Sequence, residues 1–285
     1  MITAGQWTAG CGLDRIDALA LLRELAGIPH ARLLAHPECP LDAAATTRLD
    51  AAAARLRAGE PLAYVLGWRE FHGLRFAVGP AVLVPRPDTE LLVEFARRHI
   101  ASGDAARVLD LGTGSGAVAV SIADARPRAE VWAVDASLDA LAQAGDNARN
   151  LLDPARPGGP LKLRHGDWFA ALDADAARFD LIVGNPPYIA AGDPHLDALR
   201  HEPALALVGA YPCDDGLADL RRIIEAAPRH LVPGAWLALE HGHDQAAAVR
   251  ALLTAAGLDA VHSVRDLAGI ERIGAGRLPP AGAAR

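Results

Sequence analysis

The tetrapeptide Asn185-Pro186-Pro187-Tyr188 directly follows the apolar run Phe179–Gly184. Two consecutive prolines cannot continue a strand, because neither has an N–H to donate and each fixes its φ. The chain therefore leaves a sheet abruptly, in a rigid turn that presents Asn185 and Tyr188 at the strand's carboxyl end. Open α/β sheets bind ligands at that edge. A side-chain amide, the backbone carbonyl of Pro186 and an aromatic ring together suit one task, the immobilisation of a planar nitrogen group. A proline-rich turn after a buried strand, with no further role, is the alternative on these four residues alone.

A second cluster lies upstream, in Asp110-Leu111-Gly112-Thr113-Gly114-Ser115-Gly116-Ala117. Glycines at alternate positions let a backbone turn tightly and approach a ligand closely, with the next helix's N-terminus behind it. Nineteen residues beyond Gly116, Asp135 ends the next predicted strand, where a carboxylate can accept both hydroxyls of a ribose. The loop with Asp135 points to a nucleoside cofactor. Gly112-x-Gly114-x-x-Ala117 also fits the dinucleotide pattern, so a nicotinamide enzyme stays open at this point. Two features separate the cofactors: the sheet is expected to end in an antiparallel pair rather than a second mononucleotide half, and the Asn-Pro-Pro-Tyr turn sits on the fourth strand. In Gly166-Asp167-Trp168-Phe169, after the third strand, a carboxylate and an indole are placed to flank an adenine; ordinary core packing of Trp168 is the other reading.

The elements that carry these residues can be read from periodicity. Residues 1–72 read as a helical domain. Ile16, Leu19, Leu22 and Leu25 recur at three-residue spacing in one helix closed by Gly27 and Pro29, a short segment surrounds Ala31–Leu34, and Asp42 caps a helix to about Arg57 with Leu49, Ala53 and Leu56 inward. Leu74–Val78 and Ala81–Val84 flank Gly79-Pro80 and read as a linking β-hairpin. Residues 73–285 then alternate strands and helices, the mark of a parallel sheet. The strands are Arg107–Leu111, Glu130–Asp135, Leu161–Arg164, Phe179–Gly184 and Ala235–Glu240, with helices around Ser115–Ala125, Leu138–Asn150, Gly216–His230 and Asp244–Ala256. Asp259–Arg265 and Glu271–Ile273 are joined by too short a link for parallel pairing, so they should run antiparallel. Pro154–Pro160 reads as a surface loop and Leu278–Arg285 as a frayed end.

Composition narrows the class. The chain has 285 residues, a formal charge of -7 and a pI near 5.9, which does not suggest a protein that coats nucleic acid. Its three cysteines, Cys11, Cys39 and Cys213, form no CxxC pair, which fits a reducing cytosol and neither a disulfide framework nor a zinc site. Neither a signal segment nor an apolar run of ~18 residues is evident, so a cytoplasmic rather than an exported or membrane protein is expected. His241-x-His243 has no matching ligand cluster, and no metal is expected.

Taken together, the glycine loop, Asp135 and Asn185–Tyr188 resemble a class I methyltransferase that uses S-adenosylmethionine. More narrowly, the chain is similar to the peptide chain release factor N5-glutamine methyltransferases. The likeness runs through Gly59-Glu60-Pro61, Arg69-Glu70-Phe71, Pro85-Arg86-Pro87-Asp88-Thr89-Glu90, Gly166-Asp167-Trp168-Phe169 and Leu239-Glu240-His241-Gly242. Val84–Glu90 is the most family-specific piece, while Asn-Pro-Pro-Tyr is shared with adenine-N6 and other amino-methylating enzymes. The loop Pro154–Pro160 and the Pro/Ala-rich end depart from the pattern, far from the chemistry.

The resemblance implies a Rossmann-like seven-stranded methyltransferase sheet with an antiparallel C-terminal strand pair, a small N-terminal helical domain that grips the protein substrate, and a linking β-hairpin. It implies S-adenosyl-L-methionine held by Gly112, Thr113, Gly114, Ser115, Gly116, Asp135, Trp168 and Asn185. Asn185, Pro186, Pro187 and Tyr188 would hold the substrate, with Asn185, Pro186 and Tyr188 catalytic. The substrate would be the glutamine of the Gly-Gly-Gln motif in class-1 release factors, the enzyme a monomer without stable nucleic-acid or membrane binding. No histidine is expected to act as a catalytic base. A ribosomal protein as acceptor, a DNA adenine, and an inactive binding module are the competing readings; the acidic balance and the lack of a basic target-recognition region stand against DNA.

Overall fold

The computed structural model describes residues 2–172 and 178–282. Part of the expected frayed end, residues 283–285, lies outside them. The chain divides into two compact units, Met1–Trp68 and Arg69–Arg285; the boundary expected at 72/73 falls just inside the second.

The first unit is helical: α1 Ala4–Gly10, α2 Arg15–Leu25, α3 His30–Ala35, α4 Ala43–Arg57 and α5 Leu62–Leu66. Local chemistry sets the starts. Thr3 and Gln6 form a reciprocal capping box, Asp14 accepts from the Asp17 amide at 2.9 Å, and Asp42 accepts from the Ala45 amide at 2.6 Å. Leu49 and Ala53 face inward as expected, but the α2 stripe is corrected. Ala18, Leu21 and Leu22 are buried, whereas Ile16 is 81% exposed. A strict three-residue repeat drifts around a 3.6-residue helix, so the buried line needs the i, i+3, i+4 rhythm. Helices α1 and α5 were not foreseen; each is short, and α1 is anchored by Trp7, whose Nε1 donates to Asp50 at 2.8 Å.

The second unit begins with the hairpin, which also needs correction. Strand β1 is Trp68–Phe71 and β2 is Leu74–Ala77, turning at His72-Gly73. Ala81–Val84 is no strand. Pro80 cannot donate to a ladder, and the Val84 amide is taken instead by Glu202 at 3.0 Å. After this stretch come α6 Glu90–His99, β3 Arg107–Leu111, α7 Ala117–Ala125, β4 Glu130–Asp135, α8 Leu138–Leu151, β5 Lys162–His165 and β6 Phe179–Gly184. The chain continues with α9 Ala204–Val208, α10 Ala218–Ala226, β7 Leu231–Glu240, α11 Ala246–Ala255, β8 Asp259–Arg265 and β9 Glu271–Arg277.

Seven strands form one sheet in the order β5-β4-β3-β6-β7-β9-β8. The first five are parallel, and β9 pairs antiparallel with both β7 and β8. Val108, Leu109, Leu181 and Ile182 are fully buried, as central parallel strands require when helices cover both faces. β7 starts at Leu231, earlier than expected, because it absorbs Pro233 and Gly234 through a register shift against β6. The strand order reverses on either side of β3. The carboxyl ends of β3, β4 and β6 therefore open a crevice at the switch point, the place where such sheets take ligands.

Candidate active site

The glycine loop leaves β3 and is pinned to the neighbouring strand, since the amides of Gly112 and Thr113 both donate to the Val134 carbonyl at 2.9 Å. Gly112 has φ +72°, and a Cβ there would meet the Trp168 ring at 3.2 Å. Gly116 has φ +80°, and a Cβ there would press on Ala144 of α8 at 3.1 Å. The two glycines thus do different things: one admits the indole, the other lets helices α7 and α8 approach. Thr113 donates its hydroxyl to Asp110 Oδ2 at 2.7 Å. Asp110 is 1% exposed, and burial beside Asp135 pushes its carboxyl up to about 7.

Asp135, at the end of β4, accepts the Gly114 amide at 2.8 Å on Oδ2 and the Ser137 amide at 2.9 Å on Oδ1. Each oxygen keeps a lone pair beyond these bonds. Burial raises its pKa, opposed first by the Ser137 and Gly114 amides. The Ser115 carbonyl accepts from Asn147 Nδ2 at 2.8 Å, which ties the loop to α8. Trp168 sits at φ +49°, a costly conformation for a bulky residue, and its Nε1 donates to Asp219 Oδ1 at 3.1 Å. Asp167 pairs with Arg222 at 2.6 Å.

At the end of β6, Asn185 donates from Nδ2 to Thr89 Oγ1 at 3.2 Å. Its Oδ1 makes no hydrogen bond among the described residues. Pro186 is buried, and the Tyr188 hydroxyl donates to Glu240 Oε1 at 3.1 Å. The Tyr188 carbonyl is held by Gln245 Nε2 at 3.0 Å, and the same nitrogen holds the Asp215 carbonyl at 2.8 Å. The double-proline turn is therefore braced from behind by side chains of β7 and the loop before α11.

A cavity of about 370 Å³ lies over these strand ends, within the size range of small-molecule sites. Every residue expected to touch a cofactor lines it except Gly116, which is taken up by the packing of α7 on α8. From the turn, Asn185 and Pro187 line it, while Pro186 and Tyr188 do not. The Tyr188 hydroxyl is engaged by Glu240 instead.

The cavity also contains Asp110, Thr89 and Asp219, to which motif reading gave no role, and Arg86, for which the sequence left open a brace of the pocket wall or an ordinary charge at a helix start. Asp110 was inside the glycine motif and Thr89 inside the Pro85–Glu90 segment, so both had a signal without an assigned role. Arg86 pairs at 2.5 Å with the buried Glu202, 116 residues away. Asp219 had no local signal at all, because its partner Trp168 lies 51 residues away. Among the described residues, no histidine lines the cavity. His241 is buried, bonded through Nδ1 to the Gly242 carbonyl at 2.8 Å, and burial holds its imidazole below the usual range. The described residues hold no group of three or more His, Cys, Asp or Glu side chains arranged for a metal ion, and none of their helices is long and apolar enough to cross a membrane.

Residues 87–201 match the family described as methyltransferase small domain, and residues 8–67 match the PrmC N-terminal domain. A release factor glutamine methyltransferase of Burkholderia pseudomallei is 53% identical over 279 residues, covering 97% of this chain and 96% of that protein. The Bordetella pertussis protein of the same description is 52% identical over 269 residues, covering 94% and 96%. Among solved structures, a T. Thermophilus 16S rRNA methyltransferase in complex with AdoMet and guanosine aligns with a TM-score of 0.53 at 21% identity, over 74% of this chain and 49% of that one. That last likeness speaks to the fold. With more than half of its residues shared along nearly its whole length, the chain belongs to the release factor glutamine methyltransferases.

Proposed function

We propose that the chain transfers a methyl group from S-adenosylmethionine to the side-chain amide nitrogen, N5, of the glutamine in the Gly-Gly-Gln motif of class-1 release factors. The observation that carries this reading is that one cavity joins the glycine loop and Asp135 to the amide of Asn185. The residues present fit the cofactor. The Gly112 cradle lies against the Trp168 ring, where a Cβ would press to 3.2 Å, and Asp135 offers acceptor capacity where a ribose would lie.

When bound, S-adenosylmethionine supplies the electrophilic methyl of a sulfonium. Asp135 would hold the nucleoside, with the glycine loop giving it close backbone approach, and Trp168, tied to Asp219, would form the wall beside it. Asn185 Oδ1 would accept one hydrogen of the glutamine amide; the second acceptor expected from the sequence, the Pro186 carbonyl, belongs to a buried residue that does not line the cavity. The amide nitrogen that received the methyl would release its surplus proton to solvent, so no side chain is required as a strong base. Placement of this kind lowers a barrier by several kcal/mol, with ~7–11 as the ideal limit. The helical unit provides the surface that grips the protein substrate. The acidic charge balance supports a protein acceptor without stable nucleic-acid binding, and the reading places a monomer in the cytosol.

The test is tritium transfer from labelled S-adenosylmethionine to a purified release factor, run beside ribosomes lacking the modification. Label is expected on the Gly-Gly-Gln glutamine. Label confined to a ribosomal protein would overturn the assignment of the acceptor.

A further inference from the structure

The turn that carries Asn185 is held at one backbone atom, the carbonyl oxygen of Tyr188. Gln245, the residue before α11, is 9% exposed. Its Nε2 donates to the Tyr188 carbonyl at 3.0 Å and to the Asp215 carbonyl at 2.8 Å, and its Oε1 accepts the Gly242 amide at 2.8 Å. Both hydrogens of the side-chain amide are thereby used. Turned over, the same amide would set its oxygen against two carbonyls and its NH₂ against an N–H, so one orientation alone satisfies the network. Gly216 packs on the same carbonyl at φ +65°, and a Cβ there would run into the Tyr188 oxygen. The Tyr188 hydroxyl is engaged as well, by Glu240 at 3.1 Å.

What is fixed at Tyr188 is passed back to Asn185 because the links between them are stiff. Pro186 and Pro187 each have a locked φ. Asn185 and Pro186 each precede a proline, which confines them to extended backbone. Few soft torsions therefore remain between the Tyr188 carbonyl and the Asn185 side chain. The Asp215 bond ties in a second piece of the cavity wall. Segment 207–213 runs beside the residues that follow the turn, with the Ile189 amide on the Leu207 carbonyl at 3.1 Å and the Ala191 amide on the Cys213 carbonyl at 3.0 Å. Gly209 and Ala210 of that segment line the cavity, as do Asn185 and Pro187. One side-chain amide thus keeps the turn and the neighbouring wall in register.

We propose that Gln245 is a positioning residue for methyl transfer: by clamping the Tyr188 and Asp215 carbonyls together, it aims Asn185 Oδ1 at the acceptor amide. The inference rests on the methyl-transfer reading above. Gln245 does not line the cavity, so it acts through the turn and not on the reacting atoms. Thr113, Asp135 and Trp168 are held by other partners, Asp110, the Gly114 and Ser137 amides and Asp219, so the cofactor side of the cavity is independent of the clamp.

The test uses the full-length protein and the variants Gln245→Glu and Gln245→Met. The first keeps the shape of the side chain but sets a carboxylate against two carbonyls. The second keeps its length and removes the donors without adding charge, which covers the case in which the first does not fold. The measurements are kcat and KM for methyl transfer to a Gly-Gly-Gln release factor, calorimetric binding of S-adenosylmethionine and melting temperature. Selective ¹⁵N-asparagine labelling reports the Asn185 side-chain amide, identified by its loss in Asn185→Asp. Both variants are expected to lower kcat by roughly 10²-fold and to shift the Asn185 NH₂ signals, while KM and cofactor Kd stay within a few-fold of the unaltered protein. An unchanged kcat, or a loss confined to KM or to cofactor Kd, would overturn the proposal. Loss of folded protein in both variants would assign Gln245 to stability and overturn it as well. If the unaltered protein labels no release factor, the acceptor assignment fails and the amide signals decide: signals that move in the folded variants uphold the clamp on Asn185, and unmoved signals overturn it.

Discussion

Two carboxyls in the second unit, Asp110 at the end of β3 and Glu240 at the end of β7, are each pushed by burial up to about 7. A buried acid of this kind holds its proton in the folded state while the unfolded chain gives it up at ordinary acid pH. Its contribution to stability is therefore full below the unfolded value and is lost as pH rises through about 7. For a full loss the size is on the order of 3 kcal/mol. Glu240 accordingly stabilises the fold least in its ionised form. Melting curves at pH 5 and pH 8 provide the check: the native protein should lose melting temperature across that interval, and Glu240→Gln should lose distinctly less. Equal losses in both would show that Glu240 does not titrate there. At this scale the sequence exposed most of the site. Gly112–Ser115, Asp135, Trp168 and Asn185 could be named because each lies in a contiguous motif whose spacing carries its chemistry. Thr89 and Glu240 lay inside recognised segments, yet nothing local indicated that Thr89 meets Asn185 or that Glu240 meets Tyr188.

The elements hold the site through a few long-range ties. Asn147 of α8 is 2% exposed and makes three bonds: Oδ1 takes the Ala77 amide at 2.9 Å, and Nδ2 serves the Ala77 carbonyl at 3.0 Å and the Ser115 carbonyl at 2.8 Å. It fastens the hairpin strand β2 and the glycine loop to one helix. Asn147→Ala would strand these backbone groups in the interior, and a loss of roughly 2–3 kcal/mol is expected. Denaturant unfolding followed by tryptophan fluorescence measures it; a change under about 0.5 kcal/mol, the ordinary scale of a surface substitution, would refute the tie. Element types in the sheet were legible because buried parallel strands and short antiparallel links leave distinct patterns. Other details were not. The α2 face shifted off Ile16 because packing follows a 3.6-residue turn. The hairpin moved to Trp68–Ala77 because Glu202, far along the chain, captured the Val84 amide. Helix α9 lacks a strong pattern, being five residues long.

For the molecule as a whole, every residue lining the cavity comes from position 80 onward, within the second unit. A fragment spanning residues 69–285 should therefore bind S-adenosylmethionine within a few-fold of the full chain. It should also lose most of its methylation of a release factor at low acceptor concentration, if the helical unit supplies the grip. Calorimetry and initial rates on the fragment test both halves, and full activity at low acceptor concentration would remove the helical unit from substrate recognition. By itself, the sequence determined the class of fold, the likeness to glutamine methyltransferases and the residues expected to hold the cofactor, because those properties reside in short segments and in the period of buried positions. Only the tertiary structure decided which side chains serve one another. Asn185 meets Thr89 across 96 residues, Tyr188 meets Glu240 across 52 and Trp168 meets Asp219 across 51. Those pairings follow from the order in which strands lie in the sheet and from the direction in which each strand end points. A hydrogen bond needs its two atoms within about 3 Å, and no local pattern in a chain specifies which distant atoms will meet.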